Sequence, residues 1–396
     1  MGIVLSSNRQ ADLLLSPCME GNLNEVKRRI GIYIADHCSG GSKSSSSDLC
    51  AYINATDPIS GNAAIHGATF SGHLEILSFL VDDCCDRDRG AGAGQTIAID
   101  IRLKNGLGCT PVWIAAGYDR IECLQYLIEK LHNSHQLESA LLEGNNTGDT
   151  PFLAAASRGN IRACNYLLNS AERLCTNLHD GSKSSPECWD FKRKLLRTAN
   201  CAGDTALKVA VASAQEIELL TLLLEVDDRC QEQFDKRIDD NGDAHPIDRL
   251  EDDTTMRSKC INRKNNIGLS PLIVACERNL PSTVELLLNY GADINIRDGT
   301  GRSPLAVAAF CGCNDVVDFL LVLSSSSSSL MNGVDDNGCT PLWLAARTGN
   351  LSMVKRLVDA GADASIKSND EMAPLDVAIK FKKERVVEFL SQRMLQ

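Results

Sequence analysis

One short string of residues returns along this chain, and that recurrence limits its folding more than any other feature. Gly108-Cys109-Thr110-Pro111-Val112-Trp113-Ile114-Ala115-Ala116 is matched almost residue for residue by Gly338-Cys339-Thr340-Pro341-Leu342-Trp343-Leu344-Ala345-Ala346. Looser copies start at Thr150, Ser270 and Ser303, and degenerate ones at Ala63, Thr205 and Ala373. Each is followed by a second apolar pattern at helical spacing. Gly349-Asn350-Leu351 leads into Val354, Leu357 and Val358, and Gly72-His73-Leu74-Glu75 into Ile76, Leu77, Phe79 and Leu80. Several copies close on a turn, as in Tyr290-Gly291-Ala292-Asp293 and Ala360-Gly361-Ala362-Asp363.

The residue types explain the pattern physically. Thr or Ser ahead of Pro caps a helix, and Pro fits a first turn, where no N–H is needed. Paired Ala residues let neighbouring helices approach, and Gly permits the left-handed turn that closes a helix. One such unit cannot bury its apolar face alone, so the units must stack. The starts at Ser270, Ser303, Thr340 and Ala373 keep close to a ~33-residue period, whereas the first half carries insertions. A degenerate copy over 12–30, with Pro17 where Ala is expected, reads as an N-terminal cap and brings the total to about nine repeats.

This repeat resembles the ankyrin family: a Thr-Pro-Leu-His-x-Ala start, a Gly between two short helices and a Gly-Ala-Asp close. The resemblance covers residues 12–390 apart from the insertions. It implies an all-α solenoid of stacked helix pairs joined by short β-hairpin connections, with a concave groove that holds protein partners. Register places two groove positions after each seven-residue start: Gly117 and Tyr118, Ser157 and Arg158, Glu277 and Arg278, Phe310 and Cys311, Arg347 and Thr348, Lys380 and Phe381. Aromatic and Arg side chains dominate binding energy at interfaces. Tyr118, Arg158, Arg278, Phe310, Arg347 and Phe381 are therefore the expected contacts, with Leu107, Asn146, Ile267, Thr300, Arg302 and Asn337 at hairpin tips. Trp113 and Trp343 stand where the family has His, which puts the usual Thr–His hydrogen bond in doubt there and points to packing between repeats. His66 holds the family's His position and is expected to be structural.

Composition excludes several other functions. Apolar residues make up 43% and aromatics 5%, so the core is aliphatic, as stacked helices require. A formal charge of −12 argues against nucleic acid and against electrostatic docking on anionic lipid, and is compatible with a basic partner. The 17 cysteines include no C-x-x-C pair and read as small buried hydrophobes of a reducing cytosol. No secretory signal or membrane span is expected, since the best apolar stretch, 305–323, is interrupted by Asp315 and Asp318. Gly-Ser-Lys-Ser, at 41 and 181, has Ser42 or Ser182 where a phosphate loop needs Gly. Asp239-Asp240-Asn241-Gly242-Asp243 would place Arg237 first and Asp248 twelfth in a calcium loop, both unsuitable. No catalytic elbow, zinc-protease motif or dinucleotide loop appears, so no enzyme activity, cofactor or metal is expected.

The insertions at 38–50, 83–98, 171–197, 226–259 and 324–329 have the composition of surface loops, with serine tracts open to phosphorylation. They divide the chain into a tail over 1–11, repeats with insertions over 12–225, an acidic insertion over 226–259 and regular repeats over 260–396. Met1-Gly2-Ile3-Val4-Leu5-Ser6 matches the N-myristoylation pattern, with Gly2 as acceptor. A single acyl chain gives only reversible membrane binding. The expectation is a monomeric, non-enzymatic scaffold or adaptor in the cytoplasm, peripheral to a membrane if Gly2 is acylated. The alternatives are the recognition subunit of a multi-chain ubiquitin ligase, since no zinc array precedes Gln396, and an inhibitor of a partner enzyme.

Overall fold

Five of the repeats begin with the same local event. The Oγ1 of Thr110 accepts from the Trp113 N–H at 3.2 Å, and Thr150, Ser270, Ser303 and Thr340 repeat this one turn into their own helices. Each cap stabilises its helix by about 1 kcal/mol. Pro follows the cap in all five. In this computed structural model, residues 7–38, 46–83, 99–175, 186–241, 260–324 and 328–394 are described.

The chain divides into two compact units, residues 1–201 and 202–396. In the first, the inner helices are α1 (Ser7–Glu20), α4 (Ala64–Ser71), α6 (Pro111–Gly117) and α9 (Pro151–Ser157). Their outer partners are α2 (Leu23–Cys38), α5 (Leu74–Ser78, continued by a π turn over Phe79–Asp83), α7 (Ile121–Asn133) and α10 (Ile161–Cys175). In the second unit the inner helices are α12 (Ala206–Ala212), α14 (Pro271–Glu277), α16 (Pro304–Cys311), α19 (Pro341–Thr348) and α21 (Pro374–Lys380). Their outer partners are α13 (Ile217–Asn241), α15 (Pro281–Asn289), α17 (Asn314–Ser324), α20 (Leu351–Asp359) and α22 (Glu384–Met394). Within each unit every inner helix packs on the next, and the outer helices follow in the same order.

Inner helices such as α9, α14 and α16 are buried nearly all round, which is why they are apolar on every side. Ala115, Ala116, Ala155, Ala156, Ala308, Ala309, Ala345 and Ala346 are wholly buried. Outer helices bury one stripe only, such as Leu124, Leu127, Ile128 and Leu131 in α7.

Two expectations are corrected. The connections implied to be β-hairpins are tight turns, and no strand is formed among the described residues. An Asn or Asp side chain holds each turn instead. Asn105 Oδ1 accepts from the N–H of Leu107 and Cys109 at 3.0 and 2.9 Å, and Asn145, Asn265, Asp298 and Asp335 do the same in their own turns. With the turn polar groups satisfied locally, a strand ladder is unnecessary.

The insertions, too, are less loop-like than their composition implies. α3 (Ser46–Ile53), α11 (Pro186–Arg197) and α18 (Ser328–Met331) lie in or at the end of insertions, and α13 runs on through 226 to Asn241. α11 buries Cys188, Phe191, Leu195 and Leu196 and packs on α10; a helical apolar stripe outweighs the polar composition around it. The Asp239-Asp240-Asn241 string ends α13 and is helical, not loop. Residues 84–98, 242–259 and the Gly2 motif lie outside the described residues.

Candidate protein-binding surface

The C-terminal ends of the inner helices are where burial stops. Tyr118 is 39% exposed, Phe310 37% and Phe381 44%; the residues preceding Tyr118 and Phe310 on their helices are mostly buried. Arg158, Arg278 and Arg347 are exposed at equivalent positions. Two further residues of this row escaped the sequence reading: Met19 and Phe70, 44% and 38% exposed. Their register, seven residues past Asp12 and Ala63, was available in the sequence but lies in degenerate copies.

In the first unit these side chains meet. The rings of Phe70 and Tyr118 pack edge to face at 4.5 Å. The Arg158 guanidinium lies 4.4 Å from the Tyr118 ring centre and 5.0 Å from that of Trp113. In the second unit Arg347 lies 5.5 Å from the Phe381 ring and 6.0 Å from Trp343, and Arg302 lies 5.6 Å from Phe310. Such cation–ring contacts contribute about 0.5–1 kcal/mol each when exposed.

The turn residues divide in two. Leu107 and Ile267 project into solvent, 69% and 68% exposed. Asn146, Thr300 and Asn337 are exposed but tie successive turns together: the N–H of Asn146 donates to Leu107 O at 3.1 Å, Thr300 O accepts from Asp336, and Asn337 O accepts from Asn369. Arg302 folds back on Asp298, with its Nε 2.8 Å from Oδ2. Burial works to raise the Asp298 pKa, but hydrogen bonds from Arg302 and Thr300 prevail and hold it below the usual value.

The tryptophans bridge repeats. Trp113 Nε1 donates to Asp149 O at 2.8 Å and Trp343 Nε1 to Met372 O at 3.0 Å, each in the following turn. His66 makes the equivalent link, with Nε2 2.9 Å from Leu103 O, while its Nδ1 accepts from the Ala63 N–H. The indole thus replaces imidazole as the inter-repeat donor, and the Thr hydroxyl keeps its capping bond.

The described cysteines are mostly buried. Burial pushes Cys123 up to about 11 and Cys164 up to about 12, which keeps them protonated. Among the described residues no cluster of His, Cys, Asp and Glu could hold a metal ion, and no helix is long and apolar enough to cross a membrane.

Helix pairs stacked through capped, alanine-rich inner helices define, within each unit, a helical repeat protein. The family model for ankyrin repeats matches residues 92–178, 254–329 and 323–394, more than half of the chain, which therefore belongs to the ankyrin-repeat family. The tyrosine-protein kinase HTK16 of Hydra vulgaris is 33% identical over 129 residues, 33% of this chain and 17% of that protein. The NF-kappa-B inhibitor alpha of Mus musculus is 36% identical over 107 residues, 26% of this chain and 34% of that protein. The ankyrin repeat domain of Bcl-3, described as a member of the IkappaB protein family, is a solved structure with 25% identity and a TM-score of 0.49. It covers 72% of this chain and 99% of its own. This chain thus spans well under two thirds of the length of these two relatives, HTK16 and the NF-kappa-B inhibitor.

Proposed function

We propose that this protein is a non-enzymatic scaffold or adaptor that holds a protein partner on the exposed ends of its inner helices. The observation that carries the reading is the row of exposed aromatic and Arg side chains on otherwise buried helices. Solvent-exposed rings at repeated positions contribute nothing to the core, and Tyr, Trp and Arg are the residue types that dominate interfaces. Tyr118, Arg158, Arg278, Phe310, Arg347 and Phe381 are the contacts, with Leu107 and Ile267 reaching the partner from the turns. The protein acts as a monomer in the cytoplasm without a cofactor, and Gly2, if acylated, adds reversible membrane contact.

Affinity capture from lysate with the parent chain, a Phe310→Ala/Arg347→Ala double variant and a Gly2→Ala variant tests this reading. Both double-variant positions are exposed, so its melting temperature should stay near that of the parent while partners are lost. Unchanged capture by a folded double variant would sink the assignment. A second reading, inhibition of a partner, draws on the similarity to the NF-kappa-B inhibitor alpha. Assaying a captured partner with and without the chain separates the two readings, since only an inhibitor lowers the partner's own activity.

A further inference from the structure

The whole chain carries a net charge of −12, with 52 acidic against 40 basic residues, yet the exposed face of the second unit has the opposite character. Its ten positions after the helix starts are Ala212, Ser213, Glu277, Arg278, Phe310, Cys311, Arg347, Thr348, Lys380 and Phe381, with one acid among three bases. Lys382 follows in the left-handed turn after α21, also exposed. Among the described residues none of Arg278, Arg347, Lys380 and Lys382 forms an ion pair; Lys380 reaches only the Met372 sulfur, at 3.8 Å.

Several cations elsewhere in this unit are paired. Arg356 pairs with Asp318, Arg393 with Asp359 at 2.7 Å and Arg302 with Asp298 at 2.8 Å. Nearby acids are committed as well: Asp376 accepts from the Ala373 N–H at 2.9 Å, and Glu371 lies 3.6 Å from Lys367. Among the described residues Glu277, beside Arg278, and Glu384, two residues after Lys382, also form no ion pair, so bases outnumber unpaired acids along the row. In an acid-rich chain, an excess of unpaired bases raises the local potential, and the sign of that potential selects what docks. Apolar surface is interleaved: Ile379 is 56% and Phe381 44% exposed. Arg347 lies 6.0 Å from the Trp343 ring centre and 5.5 Å from that of Phe381, and its guanidinium fork fits a carboxylate.

We propose that this face takes an acidic segment of a partner protein, with Asp or Glu side chains on Arg278, Arg347, Lys380 and Lys382 and an apolar side chain on Phe381 and Ile379. The proposal rests on the groove reading above and names its partner chemistry; it reverses the basic partner that net charge alone suggests.

Selection of random linear peptides on the full chain tests it. Bulk charge favours basic peptides, so enrichment of Asp and Glu among the winners, interspersed with apolar residues, is the expected and diagnostic result. Binding of the winners should fall about tenfold or more in an Arg347→Gln/Lys380→Gln/Lys382→Gln variant, and should weaken with added salt. Winners that are not acid-rich but are lost with Phe310→Ala/Arg347→Ala would overturn the partner class and leave the groove standing. Acid-rich winners that bind the triple-Gln variant as they bind the parent would overturn both. Phosphatidylserine vesicles serve as a further arm: vesicle binding that depends on the same three cations, without acid-rich winners, would mean a lipid surface and would also overturn the proposal.

Discussion

His66 is buried, and its two ring nitrogens are divided between one carbonyl and one amide, an arrangement that suits only the neutral ring. Burial lowers its pKa from the ordinary 6.5. The unfolded chain then binds the extra proton first, so stability is full above about pH 6.5 and declines as pH falls below it, levelling off under the folded-state pKa. Denaturant melts across that range should show the slope, and His66→Ala should flatten it; an equal slope in both would mean another group is responsible. The left-handed turns between inner and outer helices give a second prediction. Most repeats place Gly there, as at Gly72, Gly312 and Gly349, but Ala214 sits at φ 51°. Replacing it by Gly removes backbone strain and adds unfolded-state entropy, a net gain of about 0.5–1 kcal/mol readable as a higher melting temperature.

The turns and the indole bridges carry the order of the stack, so both should be sensitive. Gly108 has φ +75°, and a Cβ there would lie 2.3 Å from Asn146 Oδ1 and 2.7 Å from the Asn146 amide. Gly108→Ala should therefore cost about 2–3 kcal/mol, seen in chemical denaturation, because strain and a clash with the next turn coincide. Trp343→Phe keeps the apolar ring but leaves Met372 O without its donor, which costs about 1–3 kcal/mol. A loss far below that would mean water satisfies the carbonyl. Both effects fall on helix pairing, and neither removes a residue from the exposed row.

In a repeat protein stability is a sum of repeat and nearest-neighbour terms, so a unit of several repeats can fold without the rest. Residues 202–396 contain five complete helix pairs among the described residues, each inner helix packed on the next. This segment produced alone should show helical circular dichroism and one cooperative thermal transition, and it should retain the cationic face with Arg347 and Phe381. A broad, non-cooperative melt would mean that its repeats depend on those before Cys201.

Much of this was legible from local chemistry. The Ser/Thr-Pro caps, the alanine pairs and the left-handed glycines act within a few residues of themselves, so their recurrence in the sequence predicts the helices and their stacking directly. The exposed row followed from register for the same reason. The five Asn and Asp turn holders were also present at a fixed distance before each cap, from Asn105 to Asp335, but a lone polar residue in a turn is too common to stand out until its two amide partners are seen. Other features depend on residues far apart in the chain. The insertion around α11, with its polar, basic composition, reads as loop, and only the burial of α11 against α10 shows that an apolar stripe governs. Which tip residues remain available, Leu107 and Ile267, and which are consumed in bonds, Arg302 above all, is a matter of neighbours. So is the placement of charge: composition alone makes this an acidic protein, and tertiary packing brings Arg278, Arg347 and Lys380 to the exposed ends of inner helices.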